Sequence, residues 1–356
     1  MANFKYVEHI TTSQDLLGTL KSALTFNAFD FNASAGETEE KNAWKIVNEV
    51  PDQATGKIKE LVIEGTAKIG TTGTKVFQVK LTNPGFATPA SHSSLIVQQL
   101  KDFDKGTATE AGHPVKYEWA KENATPKTDR DMTKPVYMYL NIMNNRLAMI
   151  LVGDPAINFE DYRKSFLYVG AIKPFKYNEN DDVAGNVLLT AGSVTAEPTA
   201  PAAGYDFGQY TSYGNNTFQM FMTKSGIRFQ KHYPSFITQA PQPGKAFVDP
   251  VLKDTGLLLE PQGFNASAWS RKYHMSPIYI VHPYDGYRGQ LEYVISVSKN
   301  NILHLDELIV DIPDGTAGKK WKQEVYRYFD HNTEQNFMNM SANVKMGVAF
   351  LKEVRY

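Results

Sequence analysis

Apolar and polar residues alternate with a period of two in several short runs of this chain. The runs are short and bounded by Gly, Pro, Asn and Asp, which is the pattern of strands joined by turns. The densest stretch is 136–175. Two apolar runs meet there at Asn144-Asn145. Asn tolerates positive φ better than other non-glycine residues, so this dipeptide predicts a two-residue hairpin turn. The second run, 147–152, is apolar at every position, which predicts a strand covered on both faces. A third run follows at 166–172. Together they read as the buried centre of a β-domain.

Upstream, Trp44, Ile46 and Val50 alternate with Lys45 and Glu49. Leu61 and Ile63 alternate with Glu60, Val62 and Glu64, and Phe77, Val79 and Leu81 with Gln78 and Lys80. Gly56, the 70–73 stretch and Asn83-Pro84 read as turns between them, giving a meander. Downstream, short strand runs are predicted at 218–222, 227–229, 278–281, 291–297, 308–312, 321–329 and 344–354. In the last, Val344, Met346, Val348 and Phe350 alternate with Lys345, Gly347 and Ala349. A chain ending in such a strand has that end tied into a sheet.

Helical spacing is rarer. Leu16, Leu17, Leu20 and Leu24 predict a short amphipathic helix over 15–24, with Ser13 as N-cap and Gly18 as a weak point. It either packs on a sheet or forms an arm that docks on a neighbour. Leu95, Ile96, Leu100 and Phe103 predict a second helix over 94–103. Asp154-Pro155, or Asn158 with Asp161, opens a third. Residues 192–204 are mostly Ala, Pro, Thr and Gly and read as a linker or long loop. The expected organisation is a β-rich half at 1–191, this segment at 192–204, and a second β-rich half at 205–356. One continuous domain is the alternative. The expected fold class is mainly β, an antiparallel β-sandwich-type architecture with a few short helices.

Composition narrows the chemistry. The 356 residues suffice for one large or two ordinary cores. A formal net charge of -1, with Lys and Arg scattered, gives no general attraction to nucleic acid. The chain has no cysteine, which excludes disulfides, thiolate catalysis and cysteine metal sites. No apolar run approaches the roughly 20 residues of a spanning helix, so no membrane span is expected. The first residues, MANFKYVEHITTSQD, lack a basic-then-apolar leader. The chain is therefore expected to stay in the cytoplasm or to leave it within a particle. The 19 Tyr and 20 Phe fit a β-rich core, a contact surface, or both.

No catalytic constellation is readable. The eight histidines are spread apart, and the nearest pair, His274 and His282, is too distant for a helical metal pair. Asn178, Asn180 and Asp182 only partly match a calcium loop, with Gly185 too late, so the acidic run at 179–182 reads as solvated, as does the one at 37–40. Ser91, Ser93 and Ser94 flank His92 without an elbow or an orienting partner. Gly286 and Gly289 do not open a helix after a strand, and 279–297 reads as strand, turn, strand. Tyr284, Tyr287 and Arg288 in that segment are candidate interface residues, because Tyr and Arg anchor interfaces. Turn and core packing is the other reading of them. Catalytic, cofactor-binding and metal residues are assigned to none, and no cofactor is expected.

Three segments together resemble structural proteins of tailed bacteriophages. They are Trp44-Lys45-Ile46-Val47 with 60–65 (ELVIEG), the stretch 146–175 with its Asp161-Tyr162-Arg163-Lys164 and Tyr168-Val169-Gly170, and the ending 326–356 with MGVAFLKEVRY. The pattern is similar to virion proteins of the tail or baseplate of contractile-tailed phages. It implies a non-enzymatic, multi-copy component of a particle, assembled in the host cytoplasm. The implied partners are other virion structural proteins and copies of itself in a symmetric homo-oligomer. The alternative is a receptor- or carbohydrate-binding β-sandwich module on the virion, with aromatics such as those of 205–213 stacking on ligand. A cell-wall or polysaccharide hydrolase is the third reading.

Overall fold

The computed structural model describes residues 4–25, 44–69, 73–87, 94–101, 109–110, 115–119, 132–143, 146–153, 166–174, 186–191, 217–222, 228–230, 233–234, 274–282, 286–299, 303–313, 321–330 and 345–356. In chain order the elements begin with β1 (Lys5–Thr12), α1 (Leu16–Leu24), β2 (Lys45–Pro51), β3 (Ile58–Ile69), β4 (Gly73–Thr82), β5 (Ser94–Lys101), β6 (Thr109–Glu110) and β7 (Val115–Glu118). They continue with β8 (Pro135–Ile142), β9 (Arg146–Gly153), β10 (Phe166–Gly170), β11 (Lys173–Pro174), β12 (Asn186–Ala191), β13 (Thr217–Met222), β14 (Arg228–Gln230) and β15 (Tyr233–Pro234). The last are β16 (His274–His282), β17 (Gly286–Lys299), β18 (Glu307–Pro313), β19 (Trp321–Asp330) and β20 (Lys345–Arg355). A 3-10 turn, Pro84–Phe86, follows β4, where Asn83-Pro84 predicts a turn.

Every strand pair among the described residues is antiparallel. The fold is thus mainly β, as expected. The first sheet runs β1-β8-β9-β10-β12-β13-β14, and the second β15-β16-β17-β20-β19-β18 with β11 beside β17. The third runs β2-β3-β4-β5-β6 with β7 beside β5. β2, β3 and β4 are neighbours in sequence order, which is the predicted meander, and β5 extends it. The first sheet takes β12 and β13 from either side of 192–204, a segment outside the described residues.

The first sheet is the middle layer. Met138, Leu140, Leu147, Met149 and Leu151 face one cluster with α1 and the third sheet. Tyr139, Ala148, Ile150 and Tyr168 face the opposite cluster with Val294, Phe329 and Phe350 of the second sheet. The uniformly apolar run of β9 therefore serves two cores at once, one for each face of the pleat. The hairpin closes as its sequence predicts: Ile142 pairs with Leu147, and the Met143 amide donates to the Arg146 carbonyl at 2.9 Å. Asn144 and Asn145, between them, lie outside the described residues.

Polar groups fasten the layers. The Trp44 indole N–H donates to the Met143 carbonyl at 2.9 Å, and the Leu151 amide to the Tyr117 hydroxyl at 2.9 Å. On the other face, the Asn141 side-chain amide donates to the Leu351 carbonyl at 2.6 Å. Each bond satisfies a buried polar group that would otherwise cost about 1–3 kcal/mol.

Two local expectations are corrected. Residues 94–101 form strand β5, not a helix. Leu95 and Val97 are fully buried, at the period of two that β4 and β7 impose from either side. Phe103, the fourth member of the apparent helical stripe, lies outside the described residues. The helix near the start exists, but Ser13 does not cap it; Asp15 holds the N-cap position without a side-chain cap bond. The Asp15 carboxylate is drawn instead to Lys57, at 2.5 Å, and to the Thr12 hydroxyl, at 3.0 Å. Of the two roles expected for α1, packing on a sheet is the observed one: its leucines join the cluster with β3.

The predicted short helix near 154–164 and the acidic runs at 37–40 and 179–182 lie outside the described residues. The turn at Gly56 is as expected. Gly56 has φ +69°, and its amide donates to the Asp52 carbonyl at 2.8 Å.

Candidate functional site

Two sheet edges stand out. β1 ends the first sheet and β18 ends the second. β1 pairs with β8 over eight positions without a register shift, and β18 with β19 over seven. Among the described residues no strand pairs with the outer side of either. β2, the edge of the third sheet, differs: its ladder slips twice and ends in Pro51, devices that blunt an edge. The open edges also carry large apolar side chains in solvent. Ile10 on β1 is 68% exposed, Ile309 on β18 is 50% exposed, and Trp321 on β19, opposite Pro313 of β18, is 60% exposed.

Arg327 on β19 ties these edges together. Its guanidinium reaches Glu8 of β1 at 3.0 Å and Glu307 of β18 at 3.2 Å. It also donates to the Leu305 carbonyl at 2.6 Å. Burial disfavours its charge, but Glu8 and Tyr6 outweigh that and raise its pKa. Lys352 adds a second cation at 2.5 Å from Glu307 and holds that carboxyl below its ordinary range. Tyr6 donates to Glu8 at 2.9 Å; burial and the Glu8 charge raise its hydroxyl pKa well above the usual value.

A second polar feature lies between the first and second sheets. Arg146 is fully buried at the head of β9. It donates to the Asn141 carbonyl at 2.9 Å. Its guanidinium carbon sits 5.9 Å from the Tyr168 ring centre and 5.4 Å from that of Tyr293. Its Nε and Nη2 have no hydrogen-bond partner among the described residues. Desolvation lowers its pKa, and the neighbouring Tyr168, Glu292 and Tyr293 oppose that. Tyr293 adopts φ +59°, an uncommon backbone state for a non-glycine residue. Two aromatic rings thus face the buried cation at cation–π distance.

The expected interface residues are only partly placed. Tyr284 lies outside the described residues. Tyr287 and Arg288 lie inside β17, with Tyr287 opposite Val281 and the next residue, Gly289, opposite both Ile280 and Pro174. The strand-turn-strand reading of 279–297 is correct in its strands. Of the Ser/His run, Ser94 is buried in β5 and the others are outside the described residues. No group of acidic or histidine side chains among the described residues is arranged to hold a metal ion. No helix there is long and apolar enough to cross a membrane.

Sequence reading missed both polar features. β1 carries a signal, with Tyr6, Glu8 and Ile10 alternating against Lys5, Val7 and His9, but its residues are of mixed character. Arg146 was signalled only as a charge heading an apolar run. Against known families no family model matches this chain, and no curated protein matches it.

Proposed function

We propose that this chain is a structural assembly component of a phage particle, in its tail or baseplate, and that it acts by protein–protein association. One observation carries the reading: among the described residues two long, regular sheet edges have no strand on their outer side, with Ile10 and Ile309 exposed on them and Trp321 exposed on the neighbouring β19. An unblunted apolar edge is a liability in a protein that works alone and a template for pairing in one that assembles. The three-layer body supports this, because it gives such edges a rigid base, and the chain is read as one continuous unit. Tyr284, Tyr287 and Arg288 belong to the same proposal as further contact points.

The test is mass spectrometry of purified virions from the source of the gene, together with sedimentation of the purified chain. The reading expects many copies per particle and self-association that grows with concentration. A chain missing from the particle and monomeric at every concentration would overturn it.

A further inference from the structure

We infer that the β1 edge of one copy pairs antiparallel with the β18 edge of a second copy, setting Lys5 opposite Asp311 and His9 opposite Glu307. This rests on the assembly reading above and names its surface and partner.

The like-with-like alternatives offer no charge pairing. A two-fold axis through the joined sheet leaves its faces unchanged, so each residue must meet one of its own parity. For β18 against itself, the register centred on Ile309 sets Glu307 against Asp311 twice. The register centred on Val310 sets Ile309 against Asp311. For β1 against itself, centring on Val7 sets Lys5 against His9, and centring on Tyr6 sets Phe4 against Glu8. No homotypic register joins opposite charges.

The unlike pair behaves differently. One register brings Lys5 to Asp311, Val7 to Ile309 and His9 to Glu307 on one face. The same register brings Tyr6 to Val310 and Phe4 to Ile312 on the other, with Glu8, held by Arg327 of its own copy, opposite Leu308. Opposite-charge and aromatic–β-branched pairs are the stabilising cross-strand combinations. The edges are reachable: Glu8, His9 and Ile10 are exposed on β1, and Glu307, Ile309, Asp311 and Pro313 on β18. Their lengths match, at 8 and 7 residues. Each copy offers both edges, so the contact repeats until the assembly closes.

The absence of native cysteine makes the register directly testable. Full-length Lys5→Cys chains mixed with Asp311→Cys chains and mildly oxidised should give a mixed disulfide dimer, and neither variant alone should. By sedimentation, Lys5→Asp and Asp311→Lys should each weaken self-association about tenfold. The double reversal should restore it, with folding of each variant checked by circular dichroism. If the wild-type chain associates but the reversals change nothing, or the double variant is no better than the singles, this contact is wrong while the assembly reading stands. If the wild-type chain is monomeric at all concentrations and absent from particles, both fall together.

Discussion

Individual residues show where this molecule concentrates its risk. Among the described residues, the fully buried Arg146 has one hydrogen bond and two aromatic faces as its compensation. A desolvated charge so thinly partnered contributes little to net stability. Arg146→Met, which keeps the packing of the stem, should leave the urea midpoint within about 1 kcal/mol of wild type or raise it. A loss of several kcal/mol would show that the cation itself holds the layers. Gly65 is the opposite case. A Cβ there would lie 2.7 Å from Phe77 Cζ and 2.8 Å from Trp44 Cζ3. Those two rings meet edge-on, with centres 5.5 Å apart. Gly65→Ala should therefore cost about 1–3 kcal/mol by overpacking, read from denaturant unfolding.

The tyrosines give a pH dependence at the same scale. Burial pushes the Tyr139 and Tyr293 hydroxyls up to about 12 from an ordinary 10.0. Below pH 10 both folded and unfolded forms are neutral, and this contribution is fully present. As pH rises from 10 towards 12 the unfolded chain ionises first, so stability falls across that window. Urea midpoints measured against pH should show the decline, and Tyr139→Phe should make it shallower.

At the scale of elements, legibility followed the strength of the period. β3, β4, β9 and β20 were readable because their alternation, or its absence in β9, matches how many faces are covered. β5 was not, since Leu95, Ile96 and Leu100 suit a helix as well as a strand, and pairing with β4 and β7 decides between them. The edge β1 escaped for a different reason: Tyr6 and Val7 pack on opposite faces while the consecutive Glu8, His9 and Ile10 are exposed, so no period of two survives in its pattern. The missed Ser13 cap is again tertiary, because Lys57 lies far along the chain yet fixes the Asp15 carboxylate. The buried centre allows a strong prediction. Met149 is fully buried in β9, so Met149→Asp should cost on the order of 4 kcal/mol or more and prevent normal folding. A soluble variant with wild-type circular dichroism and urea midpoint would show that the middle layer is wrongly placed.

At the scale of the whole molecule, three sheets stack so that the first is covered on both faces by apolar clusters. The rigid centre is thus separated from the flank where β1 and β18 stand open, and Arg327 fixes those two edges relative to each other. That division of labour is the physical basis for the proposal that the chain is an assembly unit: packing holds the shape, and the edges are proposed to make the contacts. Cryo-electron microscopy of the intact particle tests it most directly. The account predicts density for repeated copies of this chain, with the β1 edge of each buried against β18 of the next. A particle without the chain, or one in which it is present with both edges in solvent, would contradict it.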